Sequence, residues 1–229
     1  MSWEPVPQRV LPHAPLHTFK VRRGRLTDGQ ADALARLWPR WGVRVEGQPL
    51  DLDALFGRSE PRVLDVGSGM GEATLLAAAA DPGRDVLAVD VHSPGLATLL
   101  RGAEHAGLEH VRAADGDARV LLADMLAPGC LDEVRVWFPD PWPKARHAKR
   151  RLVTPVFLAL VASRLRPGGV LSFATDWQPY ADEVEQHLAA SPLELVSRER
   201  PAARPVTRFE QRGRDAGRRA HDLVARRGG

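Results

Sequence analysis

The sequence predicts an α/β fold built on a doubly wound, mostly parallel sheet. From about residue 60 onward, short apolar segments rich in Val and Leu alternate with segments that carry helix signals. The apolar segments lack the polar alternation of a half-exposed sheet, which is typical of strands covered on both faces. We predict five such strands, over residues 62–66, 85–91, 110–114, 133–138 and 169–175.

Helix boundary signals separate these strands. Ser93-Pro94 and Thr154-Pro155 each place an N-cap residue before a proline at the first helical position. Gly107 and Gly168-Gly169 stand where helices are expected to end. A further helix is predicted over about 179–190. Repeated βα units of this length predict that ligands bind beyond the carboxyl ends of the strands.

The chain is predicted to have three parts. Residues 1–19 are rich in proline and lack an apolar period, which predicts a mobile tail. Residues 20–58 are predicted to form a helical extension, because Thr27-Asp28-Gly29-Gln30 has the spacing of a capping box. Residues 59–229 form the main α/β domain.

Composition excludes several classes of protein. No apolar run of about 18 residues and no secretory signal occur, so we expect a cytoplasmic protein without a membrane partner. Cys130 is the only cysteine, which excludes an internal disulfide and a multi-thiolate zinc site, and we expect no metal. The net charge is +3, but the cations cluster between Lys144 and Arg151, which favours a polyanionic partner. The scattered arginines are equally explained by codon composition.

A glycine-rich loop follows the first predicted strand. Gly67, Gly69 and Gly71 allow a tight turn and a close backbone approach to a ligand. Asp90 closes the next strand about 20 residues later, where a carboxylate can accept both hydroxyls of a ribose. Together these features predict a cofactor that contains adenosine.

The loop favours S-adenosylmethionine over a nicotinamide dinucleotide. Its third glycine comes one residue too early for the dinucleotide fingerprint, and the acidic Glu72 suits a pyrophosphate poorly. In this setting Asp65 is a candidate partner for the ammonium of the methionine moiety, and Asp117 for the adenine amino group. Alternatively, Asp65 and Asp117 each cap a helix or a turn.

The fourth predicted strand ends in a segment suited to an RNA base. Asp140 lies between two prolines that stiffen the loop, and Trp142 offers a stacking face, with Trp177 as the other candidate platform. The cations that follow can contact phosphates. Alternatively, the prolines only end the strand and Trp142 fills the core.

Four motifs resemble those of the bacterial tRNA (guanine-N7-)-methyltransferases. They are Asp90-Val91-His92-Ser93-Pro94-Gly95, the stretch from Phe138 to Arg151, the stretch from Ala174 to Ala181, and the stretch from Arg204 to Gly213. The resemblance implies a Rossmann-like class I S-adenosylmethionine-dependent methyltransferase fold, with residues 59–229 as the methyltransferase domain. It further implies tRNA as the partner and methylation of guanosine 46 in the variable loop.

The same resemblance implies roles for individual residues. Asp65, Asp90, Asp117 and Asp140 match cofactor-contacting positions, and Asp140 is also the catalytic position. Substrate-binding positions are matched by Lys144, Asp176, Thr207, Arg208, Phe209 and Glu210, and RNA-contacting positions by Arg146, His147, Ala148, Lys149, Arg150 and Arg151. The chain departs from the family's usual residues at Pro143, Arg208, Arg218 and His221.

Three other functions compete with this interpretation. Asp140-Pro141-Trp142 loosely resembles the Asp-Pro-Pro-aromatic motif of amino-group methyltransferases, although here the second proline follows the aromatic residue. A nicotinamide oxidoreductase is opposed by the glycine spacing. A catalytically silent RNA-binding protein is opposed by the complete set of carboxylates.

Overall fold

The computed structural model describes Thr18 and residues 26–229. Apart from Thr18, the predicted tail over 1–19 lies outside the described residues. The described residues pack as two compact units, 26–127 and 128–229, with Thr18 belonging to the second.

The first unit contains four parallel strands in the order β1-β4-β3-β2. Its strands are β1 (Gly42–Arg44), β2 (Arg62–Val66), β3 (Asp85–Asp90) and β4 (Val111–Asp115). Its helices are α1 (Asp28–Trp41), α2 (Leu52–Phe56), α3 (Glu72–Ala80), α4 (Ser93–His105) and the short α5 (Ala118–Val120), which continues into a π-helical turn (Leu121–Met125). The predicted strands over 62–66, 85–91 and 110–114 are therefore confirmed to within one residue at each end.

The predicted capping box at the start of α1 is present. The Thr27 hydroxyl accepts from the Gln30 backbone amide, and the Gln30 side chain accepts from the Thr27 amide. The buried face of α1, which includes Leu34 and Leu37, belongs to the same apolar cluster as Leu96 and Leu100 of α4. Segment 20–58 is not only helical, however, because β1 pairs in parallel with β4.

The second unit contains four strands in the order β5-β6-β8-β7. Strand β6 is parallel to β5, whereas β8 is antiparallel to both β6 and β7. The strands are β5 (Leu131–Trp137), β6 (Leu165–Thr175), β7 (Leu193–Ser197) and β8 (His221–Arg227). The helices are a 3₁₀ helix (Ala145–Arg150), α6 (Pro155–Arg164), α7 (Gln178–Ala189) and α8 (Arg208–Asp215). The α/β, mostly parallel prediction is confirmed.

The predicted strands over 133–138 and 169–175 correspond to β5 and β6, which begin two and four residues earlier. Two helix-boundary predictions are wrong. The N-cap of α4 is His92, so Ser93 is already helical. Helix α6 ends at Arg164, and Gly168 and Gly169 lie inside β6 instead of closing the helix. A Cβ on Gly169 would stand 2.9 Å from the Arg166 carbonyl oxygen, so glycine is required there by close packing of backbones.

The other helix signals are confirmed. Thr154 caps α6 by accepting from the Phe157 amide, and Pro155 occupies the first turn. Gly107 follows the end of α4 with a positive φ of 65°. Within the described part of the chain, no helix combines the length and apolar character that crossing a membrane requires.

Candidate cofactor and substrate sites

The glycine loop of the first unit turns between β2 and α3. Gly67, Gly69 and Gly71 all have positive φ, at 79°, 57° and 82°. A Cβ added to Gly67 or Gly69 would meet no atom within 4 Å, whereas one on Gly71 would stand 2.7 Å from Leu99 Cδ1. The first two glycines therefore leave open space over the loop, and the third allows α3 to pack against α4.

Asp90 ties this loop to the end of β3. Its Oδ2 accepts from the Gly69 amide at 2.7 Å, and its Oδ1 accepts from the His92 amide at 2.8 Å. Burial raises the pKa of the Asp90 carboxyl, although the two amides oppose this shift. A carboxylate has about four acceptor sites, so Asp90 retains capacity for further donors such as ribose hydroxyls.

Asp65 is the most deeply placed carboxylate of the loop region. It lies within β2, is almost fully buried, and its Oδ2 accepts from the Thr74 hydroxyl of α3 at 2.5 Å. Because the contact is to a side chain within the helix, Asp65 does not act as the cap of α3, whose N-cap is Gly71.

Asp117 is a helix cap, which is the alternative role predicted for it. Its Oδ1 accepts from the Arg119 amide at 2.8 Å and so caps α5. Its Oδ2 lies 2.6 Å from Nη2 of the same arginine. For Asp117 to accept from an adenine amino group, the Arg119 guanidinium has to move away from the Asp117 carboxylate.

These three carboxylates follow or end three neighbouring parallel strands of one unit. The register pairs Val66 of β2 with Val89 of β3, and Asp90 of β3 with Asp115 of β4. Asp65, Asp90 and Asp117 thus lie at or just beyond the same edge of the sheet, where parallel α/β sheets bind their ligands.

In the second unit, Asp140 lies in a loop whose backbone is constrained on both sides. Phe138 and Trp142 have positive φ values of 55° and 45°, which non-glycine residues rarely adopt. The Phe138 amide donates to the Ala174 carbonyl at 2.7 Å, and Arg151 Nε donates to the Pro141 carbonyl at 3.0 Å. The Asp140 side chain itself is half-buried.

Trp142 does not offer a stacking face. The side chain is only 5% exposed, and its indole N–H donates to the Thr18 carbonyl at 3.1 Å. The Arg150 guanidinium lies 4.9 Å from the ring centroid, and His147 contacts the ring edge-on. The alternative that Trp142 fills the core is the correct one.

The basic segment divides into exposed and buried cations. Lys144, Arg146 and Lys149 are exposed, and Arg150 is half-buried against Trp142. Arg151 was expected to contact phosphate, but its side chain is buried and forms an ion pair with Glu183 of α7. Among the remaining predicted RNA-contacting residues, His147 and Ala148 are half-buried.

Helix α8 carries the last group of predicted substrate residues. Thr207 is its N-cap and accepts from the Glu210 amide. Arg208 is exposed, and Phe209 is 52% exposed with its ring edge-on to Phe138 at 5.3 Å. Asp176, at the end of β6, accepts from Arg218 Nε at 2.7 Å.

Glu210 is buried, and its carboxylate forms ion pairs with three arginines. Its carboxylate accepts from Arg204 at 2.6 Å, from Arg214 at 2.7 Å and from Arg200 at 2.8 Å. Burial alone would raise the pKa of Glu210, but the three arginines lower it overall. Arg204 also pairs with Asp222 of β8 at 2.6 Å.

Comparisons with known proteins decide the family. A family described as "Putative methyltransferase" matches residues 59–223. A tRNA (guanine-N(7)-)-methyltransferase of Streptomyces avermitilis is 52% identical over 93% of this chain and 75% of its own length. One from Nitrosospira multiformis is 44% identical over 94% of this chain and 96% of its own.

The chain belongs to the tRNA (guanine-N7-)-methyltransferase family. A solved 16S rRNA methyltransferase, KamB, has the same fold, with a TM-score of 0.59 at 21% identity over 77% of this chain and 94% of the other. The predicted Rossmann-like class I methyltransferase fold is thereby confirmed.

Sequence reasoning missed one feature of this tRNA (guanine-N7-)-methyltransferase family member. Arg204, Glu210 and Asp222 form a buried ionic network, although only Glu210 was expected to have a role, and that role was substrate contact. The three residues belong to a loop, to α8 and to β8, so no single helix or strand pattern reports their contact. Among the described residues, no group of three or more His, Cys, Asp or Glu side chains forms a candidate metal site.

Proposed function

We propose that this protein transfers a methyl group from S-adenosylmethionine to N7 of guanosine 46 in the variable loop of tRNA, forming 7-methylguanosine. The observation that carries the proposal is the 52% identity, over 93% of the chain, to a relative named for methylation of tRNA guanine at N7. The geometry of each unit supports it independently.

The loop of the first unit fits the proposed cofactor. Open space above Gly67 and Gly69 admits a ligand against the backbone. Asp90, bonded to the Gly69 amide, and Asp65, bonded to Thr74 of α3, supply carboxylates that suit a cationic sulfonium. Asp90 is proposed to accept the ribose hydroxyls, Asp65 to attract the ammonium of the methionine moiety, and Asp117 to accept from the adenine amino group. The bound cofactor supplies the electrophilic methyl group.

Methylation at guanine N7 makes modest chemical demands. The nitrogen already carries an in-plane lone pair, so no proton has to be removed before it attacks the methyl carbon. The protein has to align the reacting atoms and to stabilise the positive charge that grows on the purine. A fixed carboxylate near the ring can do both.

Asp140 is the residue to which we assign this role. Its loop is held by Arg151 on one side and by the Phe138 amide on the other, so the carboxylate is presented by a stiff backbone. It can accept hydrogen bonds from the N1–H and N2 amino edge of guanine while its charge opposes the charge on the ring. Asp176 is the second carboxylate of this unit suited to that edge, but it already pairs with Arg218.

We propose Phe209 as the stacking platform for the displaced guanine, in place of the buried Trp142 and of Trp177, whose ring centroid lies 4.8 Å from the Arg151 guanidinium. It is an exposed aromatic residue in the first turn of α8, and its ring packs against that of Phe138 in a T-shaped arrangement. Base stacking on such a ring is worth about 1–3 kcal/mol. The exposed Lys144, Arg146 and Lys149 are proposed to contact phosphates.

The test is methyl transfer to two matched tRNA transcripts. One carries guanosine at position 46 and the other adenosine, and both are incubated with the protein and a labelled methyl donor. We expect incorporation of about one methyl group per transcript only where guanosine 46 is present. Equal incorporation into both transcripts would show that the target is another nucleotide.

A further inference from the structure

The second unit contains a cavity of about 570 Å³ that lies among the segments flanking α8. Its lining is dominated by guanidinium groups. The arginines that line it are Arg198, Arg200, Arg204, Arg214, Arg218 and Arg219.

The carboxylates of this cavity do not balance its arginines. Glu199, Glu210 and Asp222 also line it, while Glu185 and Asp176, outside the lining, pair with Arg198 and Arg218, so six guanidinium groups meet five carboxylates. The two buried carboxylates, Glu210 and Asp222, are already bonded to Arg204. A single oxygen, Glu210 Oε1, accepts from both Arg200 and Arg214, so neither arginine has a carboxylate to itself.

The unbalanced charge lies on side chains that solvent reaches. The side chains of Arg214 and Arg218 are 45% and 48% exposed. Arg218 uses its Nε for Asp176, which leaves its two terminal nitrogens for other acceptors. Arg219 is exposed and forms no ion pair with any residue that the structure describes. A concave surface lined by one sign of charge concentrates the field and attracts an anion.

Guanidinium groups in excess at a cavity are suited to phosphate in particular. Their planar donors match two phosphate oxygens at once, and they keep their charge at every accessible pH. The two non-ester oxygens of a phosphodiester group can each accept from a guanidinium donor, and the further negative charges of a polyanionic strand are attracted by the remaining arginines of the cavity.

We propose that this cavity binds a backbone phosphate of the RNA substrate close to the methylated guanosine. The inference rests on the proposed function for the identity of the RNA. Arg214 shares α8 with Phe209, the proposed stacking platform, and lies five positions later, about 7.5 Å along the helix axis. Arg218 in turn holds Asp176, a predicted substrate residue. Helix α8 thus carries the platform for the base and, about 140° around its axis, one cation for a neighbouring phosphate.

The test compares tRNA binding by variants of Arg214 and Arg219, two of the exposed arginines of the cavity. Arg214→Gln with Arg219→Gln should weaken tRNA binding at least about tenfold and should reduce the slope of log affinity against log salt by about 1 to 2. Arg219→Gln alone should produce roughly half of the change in slope. The matched control is Arg101→Gln with Arg226→Gln, which removes the same charge from exposed positions outside the cavity and should leave the slope close to that of the wild type.

Binding is measured without the methyl donor, so the experiment does not depend on product formation. If the wild-type protein forms no 7-methylguanosine but the arginine variants still lose tRNA affinity, the proposed function fails and the phosphate site stands. If the variants bind tRNA as the wild type does, the inference is overturned. A calorimetric titration with inorganic phosphate tests whether the ligand of the cavity is free phosphate instead of an RNA phosphate. Loss of phosphate binding in the double variant, with tRNA affinity intact, would assign the cavity to a free phosphate and overturn the RNA assignment.

Discussion

At the scale of single residues, Asp140 carries the chemical part of the proposal. Asparagine in its place keeps the size and one acceptor oxygen but removes the negative charge. Because that charge opposes the charge growing on the purine, Asp140→Asn should lower kcat by about 10²-fold or more while the domain stays folded. Asp182→Asn is the control, since Asp182 is exposed and contacts only Gln178 among the hydrogen bonds described here.

Steady-state methylation of tRNA measures this effect. A smaller loss of methyl-donor affinity in Asp140→Asn is compatible with the assignment, because the family resemblance also places this residue at the cofactor. Near-normal product formation by a folded Asp140→Asn protein would remove it from the catalytic role and move that role to Asp176.

Asp90 is the residue on which cofactor binding should depend most. Asp90→Ala removes the proposed acceptor of the ribose hydroxyls and the ties to the Gly69 and His92 amides. We expect calorimetry to show binding of S-adenosylmethionine weaker by about 1.5–3 kcal/mol. Asp32→Ala, at an exposed position of α1, should change nothing. An unchanged dissociation constant for Asp90→Ala would place the ribose elsewhere.

The raised pKa of Asp90 adds a pH dependence to this prediction. The group takes up its proton at a higher pH than an ordinary aspartate, whose pKa is about 3.9. Methyl-donor affinity should therefore be full above that raised pKa and should fall as the pH is lowered through it. The Asp90→Ala variant should lack this component.

At the scale of elements, Arg151 links the Asp140 loop to α7. It donates to the Pro141 carbonyl, pairs with Glu183, and its guanidinium lies 4.8 Å from the Trp177 ring centroid and 5.3 Å from that of Tyr180. Its removal leaves a partly buried carboxylate without its partner. Arg151→Ala should lower the free energy of unfolding by about 2–4 kcal/mol, whereas Lys149→Ala, at an exposed position, should change it by less than about 0.5 kcal/mol.

Urea unfolding and tRNA binding together separate these two neighbours. Lys149→Ala should reduce the salt slope of tRNA binding by about 0.7 to 0.9 with little change in stability. If Arg151→Ala proved as stable as the wild type and instead lost salt-dependent affinity for tRNA, the original expectation of a phosphate contact would be restored.

Tyr180 reports how firmly α7 is packed against the segment before α6. Its hydroxyl accepts from the Val153 amide at 3.0 Å, and burial raises the pKa of Tyr180 to about 12. In the unfolded chain a tyrosine ionises near pH 10, so the free energy of unfolding should fall as the pH rises from about 10 to about 12. Tyr180 is the only tyrosine in the sequence, which makes the absorbance of tyrosinate a specific probe.

An alkaline absorbance titration of the native protein should thus show ionisation well above pH 10, and one in denaturant should show it near 10. A native midpoint near 10 would contradict the buried position of this side chain.

At the scale of the whole molecule, the sequence was informative where structure is determined locally. The glycine loop, the strand over 62–66 and the capping box at Thr27 were predicted because each depends on neighbours a few residues away. The burial of Trp142 was left open, since it depends on a contact with the Thr18 carbonyl 124 positions earlier in the chain. Contacts between residues that are distant in the sequence cannot be predicted from the local pattern of apolar and polar residues.

The same distinction applies to the glycines and arginines. Gly168-Gly169 has the pattern of a helix end, yet the requirement for glycine at 169 comes from carbonyl groups of β5 and of Arg166. Lys149 and Arg151 are close together in the sequence, yet one is exposed and the other buried. Residue type indicated a basic segment, and only packing decided which of its members are exposed.

The central claim is that this protein methylates N7 of a guanine in tRNA. Its most direct test is nucleoside analysis, by chromatography and mass spectrometry, of unmodified tRNA after incubation with the protein and S-adenosylmethionine. We predict 7-methylguanosine as the methylated nucleoside, absent when the methyl donor is omitted. Methylation confined to an exocyclic amino group, or tRNA recovered without a new methyl group, would contradict the account.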